Sequence, residues 1–359
     1  MATYKSIKYL VPVEAVEHTD SINALNDVDT VTAAPTDGQT IKWNGTNWVP
    51  SDITEEEASG TQKALFGFGE AAGYSIVSTT NLVSSTGVVA ADTTGVGTAR
   101  GQLAAAGFGG DKAIFGFGYN SSYTQTNLSN LVSNTGVVAT DSTGVGTAGM
   151  ALAAAGYGGD KAIFGFRFIT GNGTSNVSNL VSNTGVVATD STGVGTARSN
   201  LAAAGYGGDK AIFGVGAASS GYINVSNLVS NTGVVATDTA NASGVTARGT
   251  LAAAGFGGDK AIFGFGFDSS GLTNVTNLVS SLGVVATDTT GVGTARSNLS
   301  AAGYGGDKAI FGFGDIDSYG GSPTNVTNLV SNAGVVATDT TGVGSARIDL
   351  AGAGYSSTA

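Results

Sequence analysis

Residues 104–118 read AAAGFGGDKAIFGFG, and close copies of this stretch recur along most of the chain. The tract DKAIFGFG, or a near variant of it, begins at six positions: Gln62, Asp111, Asp160, Asp209, Asp259 and Asp307. These starts lie 48 to 50 residues apart, and self-similarity at such a period indicates a repeat architecture. Six repeats therefore account for residues 61–359.

Each repeat has the pattern of four short strands. In the fifth repeat these are LAAAGFG, KAIFGFG, TNVTNLVS and GVVATDTT, separated by turn residues such as Gly-Gly-Asp. Alternating Val, Ile, Phe and Thr favours strands, and helical periodicity is absent. Four antiparallel strands in roughly 40–50 residues are typical of a propeller blade. The sequence predicts an all-β protein, a six-bladed β-propeller of four-stranded blades.

Two details of the repeat fit crowded blades. The innermost strand is Ala-Ala-Ala-Gly, which is small enough for a position near a central axis. In the next strand we expect Phe115 and Phe117 on one face and Gly116 on the other, so that a ring of one blade packs against the backbone of its neighbour.

The ends of the repeat region complement each other. No small strand precedes Gln62, whereas the chain finishes ARIDLAGAGYSSTA, with a small strand and no aromatic strand after it. We expect residues 348–355 to pair with residues 63–69, which would close the ring and remove both free sheet edges.

The order of elements resembles the kelch family of β-propellers over residues 61–359. It comprises an arginine, a small inner strand, an aromatic strand ending in glycine, a variable loop and a threonine-rich outer hairpin. The paired glycines of that family appear here as Phe-Gly, and its blade tryptophan is missing. The resemblance implies a kelch-like propeller.

Residues 1–60 differ from the repeats, because they carry −7 of the net charge of −11. The stretch DGQTIKWNGTNWVP, residues 37–50, predicts a β-hairpin in a mostly extended segment, with turns at Asp37-Gly38 and Asn44-Gly45. Residues 25–53 resemble a module near the N-termini of bacteriophage tail fibres and other virion proteins. The resemblance implies attachment to other virion proteins through residues 1–60, a location in the phage tail and a homo-oligomer, with a trimer favoured.

Trp43 and Trp48 are the candidate assembly residues of this segment, since a lone hairpin of this size is marginal without another surface on which to bury them. The alternative is that both tryptophans cap one edge of the propeller.

The composition excludes several kinds of chemistry. There is no cysteine and one histidine, His18, so thiolate sites and the Cys-Tyr cofactor of kelch-like copper radical oxidases cannot be built. We expect no cofactor, metal site or catalytic residue. The negative charge argues against nucleic acid, and without a long apolar run we expect no membrane insertion. The pattern DIDSYGG, residues 315–321, is interpreted as a solvated turn and not as a calcium loop.

One arginine per repeat occupies the same position, which points to a structural role. These residues are Arg100, Arg198, Arg248, Arg296 and Arg347. We expect each to tie the start of an inner strand to a repeated aspartate: Asp92, Asp141, Asp190, Asp238, Asp288 or Asp339. Gly149 replaces the arginine in one repeat, which would leave one aspartate without its partner. Ligand binding by these arginines along the axis is the alternative.

The repeats differ most between the aromatic strand and the third strand, in loops that share one propeller face. Their aromatic residues are the candidate ligand-binding residues: Tyr74, Tyr119, Tyr123, Phe168, Tyr222, Phe267 and Tyr319. Aromatic, Ser and Asn side chains with little charge, apart from Arg167 beside one loop, favour a host surface glycan. Unconstrained loop drift is the alternative.

Together these features predict a non-enzymatic bacteriophage virion structural protein, a tail fibre or tail-tip component whose propeller contributes to host recognition. A cellular lectin-like or scaffold β-propeller that serves as a binding module is the alternative.

Overall fold

The computed structural model describes residues 39–43, 46–52, 62–317 and 321–357, and contacts divide the chain into two units, Met1–Ala58 and Ser59–Ala359. In the first unit β1 (Gln39–Trp43) and β2 (Trp48–Asp52) form an antiparallel hairpin in which Trp43 lies opposite Trp48. The predicted hairpin is therefore present. The turns predicted at Asp37-Gly38 and Asn44-Gly45 lie outside the described residues.

The second unit is built from three kinds of strand, and the described residues of both units contain no helix. The small inner strands are β8 (Ala104–Phe108), β12 (Ala153–Tyr157), β15 (Ala202–Tyr206), β21 (Ala252–Phe256), β26 (Ser300–Tyr304) and β30 (Ala351–Ser356). The aromatic strands are β3 (Gln62–Gly67), β9 (Lys112–Gly116), β13 (Lys161–Ile169), β16 (Lys210–Gly214), β22 (Lys260–Gly264) and β27 (Lys308–Gly312). The third strands are β6 (Thr80–Val83), β11 (Ser129–Val132), β14 (Gly173–Val181), β19 (Val225–Val229), β25 (Thr276–Val279) and β28 (Thr327–Val330).

Short strands of two residues lie mainly in the loops. They are β4 (Glu70–Ala71), β5 (Ser75–Ile76), β7 (Arg100–Gly101), β10 (Tyr119–Asn120), β17 (Ala217–Ala218), β18 (Gly221–Tyr222), β20 (Thr239–Ala240), β23 (Phe267–Asp268), β24 (Gly271–Leu272) and β29 (Arg347–Ile348). The protein is thus all-β, with many small antiparallel sheets.

Each main sheet has the order inner, aromatic and third strand, all antiparallel. The predicted fourth strand is wrong in most repeats: it forms a ladder only at β20, and elsewhere it touches the third strand through isolated bridges such as Val132↔Val138 and Ser129↔Ser142. Between these two bridges Asn130 Nδ2 donates to Ala139 O at 3.0 Å, and Asn227 Nδ2 makes the same contact with Ala236 O at 2.9 Å in the repeat that contains β20.

Phenylalanine rings pack between neighbouring sheets, as the glycines of the aromatic strands predict. A β-carbon added to Gly116 would lie 2.7 Å from Cζ of Phe164 in the next sheet, so only glycine leaves room for that ring. The prediction that Phe115 and Phe117 share a face is wrong. Phe117 follows the last residue of β9 with φ of 65°, and its ring meets Phe164 of the next sheet edge-on, whereas Phe115 packs against Gly67 of the preceding sheet.

The apolar core is split into six clusters, each lying between a sheet and its neighbour. One cluster joins Phe66 and Leu350 of the sheet β30-β3-β6 to Phe313 beside β27, so the last repeat contacts the first. The predicted pairing of the chain ends is also present: β3 pairs with β30 from Gln62↔Ser356 to Gly67↔Ala351. The observed pairing covers residues 351–356 and 62–67, with β29 continuing it onto β4.

Two cycles of backbone hydrogen bonds run through all six inner strands. At the loop-bearing end of the sheets, six N–H groups each donate to the next carbonyl at 2.8–3.0 Å, through Gln102, Ala151, Asn200, Thr250, Asn298 and Asp349 and back to Gln102. At the opposite end, Gly109, Gly158, Gly207, Gly257, Gly305 and Ser356 donate at 2.7–3.0 Å to carbonyls of the neighbouring turns. Each sheet is therefore held at both ends of its inner strand.

Candidate recognition surface

The variable segments all leave the glycine ends of the aromatic strands, at what we call the loop end of the sheets. Most of them fold as small hairpins, such as β17 with β18 and β23 with β24. In the third repeat β13 and β14 continue outward as one long hairpin, with an irregularity between Gly165 and Arg167. The strands at both ends of each loop are nearly the same in every repeat, whereas the loop sequences differ.

The candidate ligand-binding aromatic residues occupy three environments. Tyr74, Tyr123 and Tyr222 are 64%, 60% and 38% exposed. Phe168 and Phe267 are half-buried. Tyr319 lies outside the described residues.

Tyr119 is not on an exposed loop tip. It is 6% exposed, and its hydroxyl donates to Glu70 Oε2 at 2.9 Å. Burial, together with the charges of Asp349 and Glu70, raises the pKa of Tyr119 above its ordinary value, so the hydroxyl stays protonated. Its ring stacks on Tyr123 at 5.4 Å between centroids, so Tyr119 supports the exposed ring above it.

A buried polar network supports the bases of the loops. Arg296 is fully buried and donates from Nε to Phe313 O at 2.8 Å and from Nη2 to Asn328 Oδ1 at 2.7 Å. Asn328 Nδ2 in turn donates to Asp339 Oδ1 at 2.8 Å. The carboxylate also accepts from the Thr294 N–H at 3.0 Å and from the Thr294 hydroxyl at 2.6 Å. Arg296, Asn328, Asp339 and Thr294 therefore each have a hydrogen-bond partner on a different segment.

The protonation states of Arg296 and Asp339 fit their roles as donor and acceptor in this network. Desolvation lowers the pKa of Arg296 to about 10, which still leaves it charged at neutral pH. Burial alone would raise the pKa of Asp339, but hydrogen bonds from Thr294 and Asn328 and the charge of Arg296 outweigh burial and lower that pKa. Asp339 is therefore an anion that accepts hydrogen bonds and is not available as a general acid.

The predicted tie between arginine and aspartate is present, and it is mostly indirect. Arg198 forms an ion pair with Asp238 at 3.9 Å and Arg248 forms one with Asp288 at 4.0 Å, separations beyond hydrogen-bond distance. An asparagine of the third strand connects the two ions in the repeats of Arg100, Arg167, Arg248, Arg296 and Arg347. The repeated Asn-Leu-Val pattern was the available signal for this residue.

The aspartate of the repeat containing Gly149 does not lack its arginine, contrary to the prediction. Arg167 on β13 is fully buried, donates to Asn179 Oδ1 from Nη2 and donates to Thr147 O at 2.6 Å from Nη1. A β-carbon at Gly149 would lie 2.5 Å from Cδ of Arg167. Arg167 therefore occupies the space of the missing side chain and is not a charge of the loop surface.

The arginines also connect neighbouring sheets by stacking on phenylalanine. The guanidinium carbon of Arg296 lies 4.2 Å from the ring centroid of Phe265, and that of Arg198 lies 4.1 Å from that of Phe166. Desolvated cation–π contacts of this kind contribute about 2 kcal/mol. Val215 takes the place of the phenylalanine beside Arg248, and it packs in one cluster with Val245.

A group of acids breaks the symmetry of the loop end. Asp349 lies in the hydrogen-bonded cycle, and Tyr119 joins it to Glu70, with hydroxyl distances of 3.4 Å and 2.9 Å. Burial and the nearby charges of Glu70 and Asp315 raise the pKa of Asp349 to about 7. Asp315 is fully buried, so the predicted solvated turn is wrong at this residue, whose Oδ1 accepts from Asp317 N and Ser322 N.

This group does not form a substrate site. The cavity bordered by Asp349 and the other residues of the cycle has a volume of about 70 Å³, which admits a few water molecules and no sugar ring. Across the described ranges, no group of three or more histidine and acidic side chains is placed to hold a metal ion. In the part of the chain that the structure describes, there is no helix long and apolar enough to cross a bilayer.

Comparison with known proteins adds no assignment. No family model matches the chain, and a search of curated proteins found no match.

Proposed function

We propose that the second unit is a six-bladed kelch-like β-propeller and that the protein is a non-enzymatic structural component of a bacteriophage virion, part of the tail fibre or tail tip. Three features support the propeller: the pairing of β3 with β30, the two cycles of backbone hydrogen bonds, and the contact of the last repeat with the first. Each three-stranded sheet, with the segment that follows it, corresponds to one blade.

The loop end is the surface that we propose for host recognition, and the observation that carries this proposal is the exposure of aromatic rings on a rigid base. Tyr74, Tyr123 and Tyr222 offer apolar faces on which a sugar ring can stack. With Arg167, Glu70 and Asp315 buried, few charged side chains remain among these loops. This favours a neutral host surface glycan as the ligand. Single contacts of this kind are weak, so binding requires several copies on one particle.

Residues 1–60 are proposed to attach the protein to other virion proteins, in a homo-oligomer for which a trimer is favoured. The acidic composition of this segment and the 40% exposure of Trp48 on a two-stranded hairpin support the proposal. A two-stranded hairpin alone buries too little surface to be stable in water, so a partner surface is expected.

The glycan proposal is tested by adsorption of the assembled protein to host cells. We expect the triple variant Tyr74→Ser, Tyr123→Ser, Tyr222→Ser to lose at least about tenfold in adsorption, because each stacked ring contributes of order 1 kcal/mol. The matched control replaces three valines at the opposite end, Val88→Ser, Val137→Ser and Val234→Ser, each 65% exposed in the wild type. Equal adsorption by both triple variants would contradict recognition through the loop end.

The virion proposal has its own test. Antibody against this chain should label purified phage particles at the tail in electron micrographs. A protein found only outside particles would instead favour a cellular lectin-like or scaffold module.

A further inference from the structure

A second surface lies at the opposite end of the inner strands, which we call the lysine end. A cavity of about 390 Å³ opens there between the six Gly-containing inner strands. Its wall includes five lysines: Lys112, Lys161, Lys210, Lys260 and Lys308. Asp209 is the one acidic residue in that wall, although the chain as a whole has a net charge of −11. Lysines therefore outnumber acidic residues among the side chains that line the cavity.

Each of these lysines forms an ion pair with the aspartate that precedes it, at Nζ–Oδ1 distances of 2.5–3.7 Å. The lysine side chains remain 32–47% exposed in these pairs. The partner aspartates are exposed as well, except for Asp111, which is buried. Exposed pairs contribute about 0–1 kcal/mol each, so in the other four repeats an ammonium group can exchange its own carboxylate for a bound anion at little cost.

The first repeat lacks the acid of this pattern. Gln62 stands where the other five repeats have aspartate, and Lys63 lies opposite Tyr355 as Lys112 lies opposite Phe108. Within the described residues Lys63 has no ion-pair partner. Gln62 lines the cavity, and its amide Nε2 is 3.3 Å from the position that a β-carbon of Gly354 would occupy. The six repeats thus have six lysines against five aspartates at this position. Lys63 is not part of the cavity wall, whereas Gln62 is.

The interior wall leaves space for a ligand. The inner strands approach one another closely, because a β-carbon on Gly107 would lie 3.2 Å from Gly354 O, and the open space lies at the turns beyond them. The second glycine of each Gly-Gly-Asp turn that contributes to the wall, such as Gly110, has nothing within 4 Å of an added β-carbon. The volume is in the range of small-molecule sites, which rules out a polymer chain as the enclosed ligand.

We propose that this cavity binds a small molecule that carries two or more oxyanion groups, such as an oligophosphate or a polycarboxylate. Several ammonium groups around one opening focus a positive potential on an anion, and charge-assisted hydrogen bonds from lysine to phosphate or carboxylate oxygens are short and strong. The site is at the end of the sheets opposite the loops, and it does not depend on the proposed function.

The proposal is tested by isothermal titration of the full-length protein with tripolyphosphate and, separately, with citrate, at constant ionic strength. We expect saturable binding of one anion per chain. Binding of one probe and not the other would support the site and identify phosphate or carboxylate as its preferred group.

Four variants separate a built site from general charge effects. Lys161→Gln combined with Lys260→Gln should weaken binding at least about tenfold, because hydrogen bonds to charged groups are lost. Gln62→Asp should also weaken it, while keeping the residue that the other turns use. Asp209→Asn should strengthen binding. Lys42→Gln, in the hairpin of the first unit, lowers the net charge by one, as Gln62→Asp does, and should leave binding unchanged.

Melting curves by circular dichroism, recorded without anion, establish that each variant is folded. Failure of both probes to bind saturably would overturn the proposal. Wild-type affinity in the folded double lysine variant would also overturn it, as would a loss of affinity in Lys42→Gln equal to that in Gln62→Asp.

Discussion

Arg167 places its guanidinium in the network that the arginines of the other repeats supply from a different strand, and Gly149, at the usual arginine position, leaves the space that it needs. Gly149 occupies the repeat position of Arg100, and Arg167 occupies the repeat position of Gly118, so glycine and arginine have exchanged positions in this repeat. Both arrangements give an arginine that donates to an asparagine and stacks on a phenylalanine of the preceding sheet. The network is therefore defined by where the guanidinium lies.

The exchange predicts a rescue experiment. Arg167→Gly should destabilise the protein by about 3–5 kcal/mol, because it leaves the acceptors of a buried ion without their partner. Adding Gly149→Arg to that variant should restore most of the loss. Urea unfolding of the wild type, the single variant and the double variant measures both effects. An unchanged midpoint in Arg167→Gly would show that the guanidinium does not stabilise the fold.

Pairing of the chain ends makes a second prediction. Deleting residues 347–359 removes β29 and β30 and breaks both hydrogen-bond cycles, so the melting temperature should fall by more than about 10 °C. Deleting residues 358–359 is the control and should have little effect.

A circular permutant tests the same pairing without loss of residues. Ser356 and Gln62 correspond to the first and last residues of the Gly-Gly-Asp turns, so one added glycine between them should complete an equivalent hairpin. A permutant in the order 345–356, glycine, 62–344 should melt cooperatively and far above a 62–344 fragment. If the fragment melts at the same temperature as the permutant, the terminal strand does not close the structure.

Asp349 gives the stability a pH dependence. Its pKa is about 7 in the folded protein and about 3.9 in an unfolded chain, so the folded state holds the proton more tightly. The stabilisation is complete below pH 4 and is lost as the pH rises through 7. Asp349→Asn should remove this decline and raise stability at pH 8 by a few kcal/mol, on the order of 1.4 kcal/mol per unit of pKa shift.

The groups that face Asp349 define the control. Asp349 is surrounded by Glu70, Asp315, Gln102 and Tyr119. The effect of Asp349→Asn on the pH dependence of stability should therefore come from these surroundings and not from the loss of one charge alone. Asp268→Asn, at the end of β23, removes the same charge from a variable loop. Urea unfolding from pH 4 to pH 8 should show the decline in Asp268→Asn and not in Asp349→Asn; its persistence in both would exclude Asp349 as the cause.

The sequence predicts the strands of this fold better than its polar contacts. Periodic copies identify the inner and aromatic strands, and the incomplete ends at Gln62 and Ala359 predict the pairing of β3 with β30, because each end lacks what the other has. The role of Arg167 could not be predicted in the same way, since it depends on which face a residue takes after the irregularity at Gly165. Tyr119 likewise looks like a loop residue until its contact with Glu70 is known.

The asparagine of the third strand provides the last prediction. Asn328 joins Arg296 to Asp339, so Asn328→Ala would leave a buried donor and a partly buried carboxylate each without one partner. Because hydrogen bonds to charged groups contribute about 1.5–3 kcal/mol, we expect a loss of that size or more in the free energy of unfolding. Asn332→Ala is the matched control, since the Asn332 amide donates to Asp307 at 3.0 Å in an exposed turn, and it should cost less than about 0.5 kcal/mol. A double-mutant cycle with Asp339→Ala should give a coupling above about 1 kcal/mol, as residues in one network do. Additive effects in that cycle would mean that Asn328 and Asp339 stabilise the fold independently and that the network is not a unit.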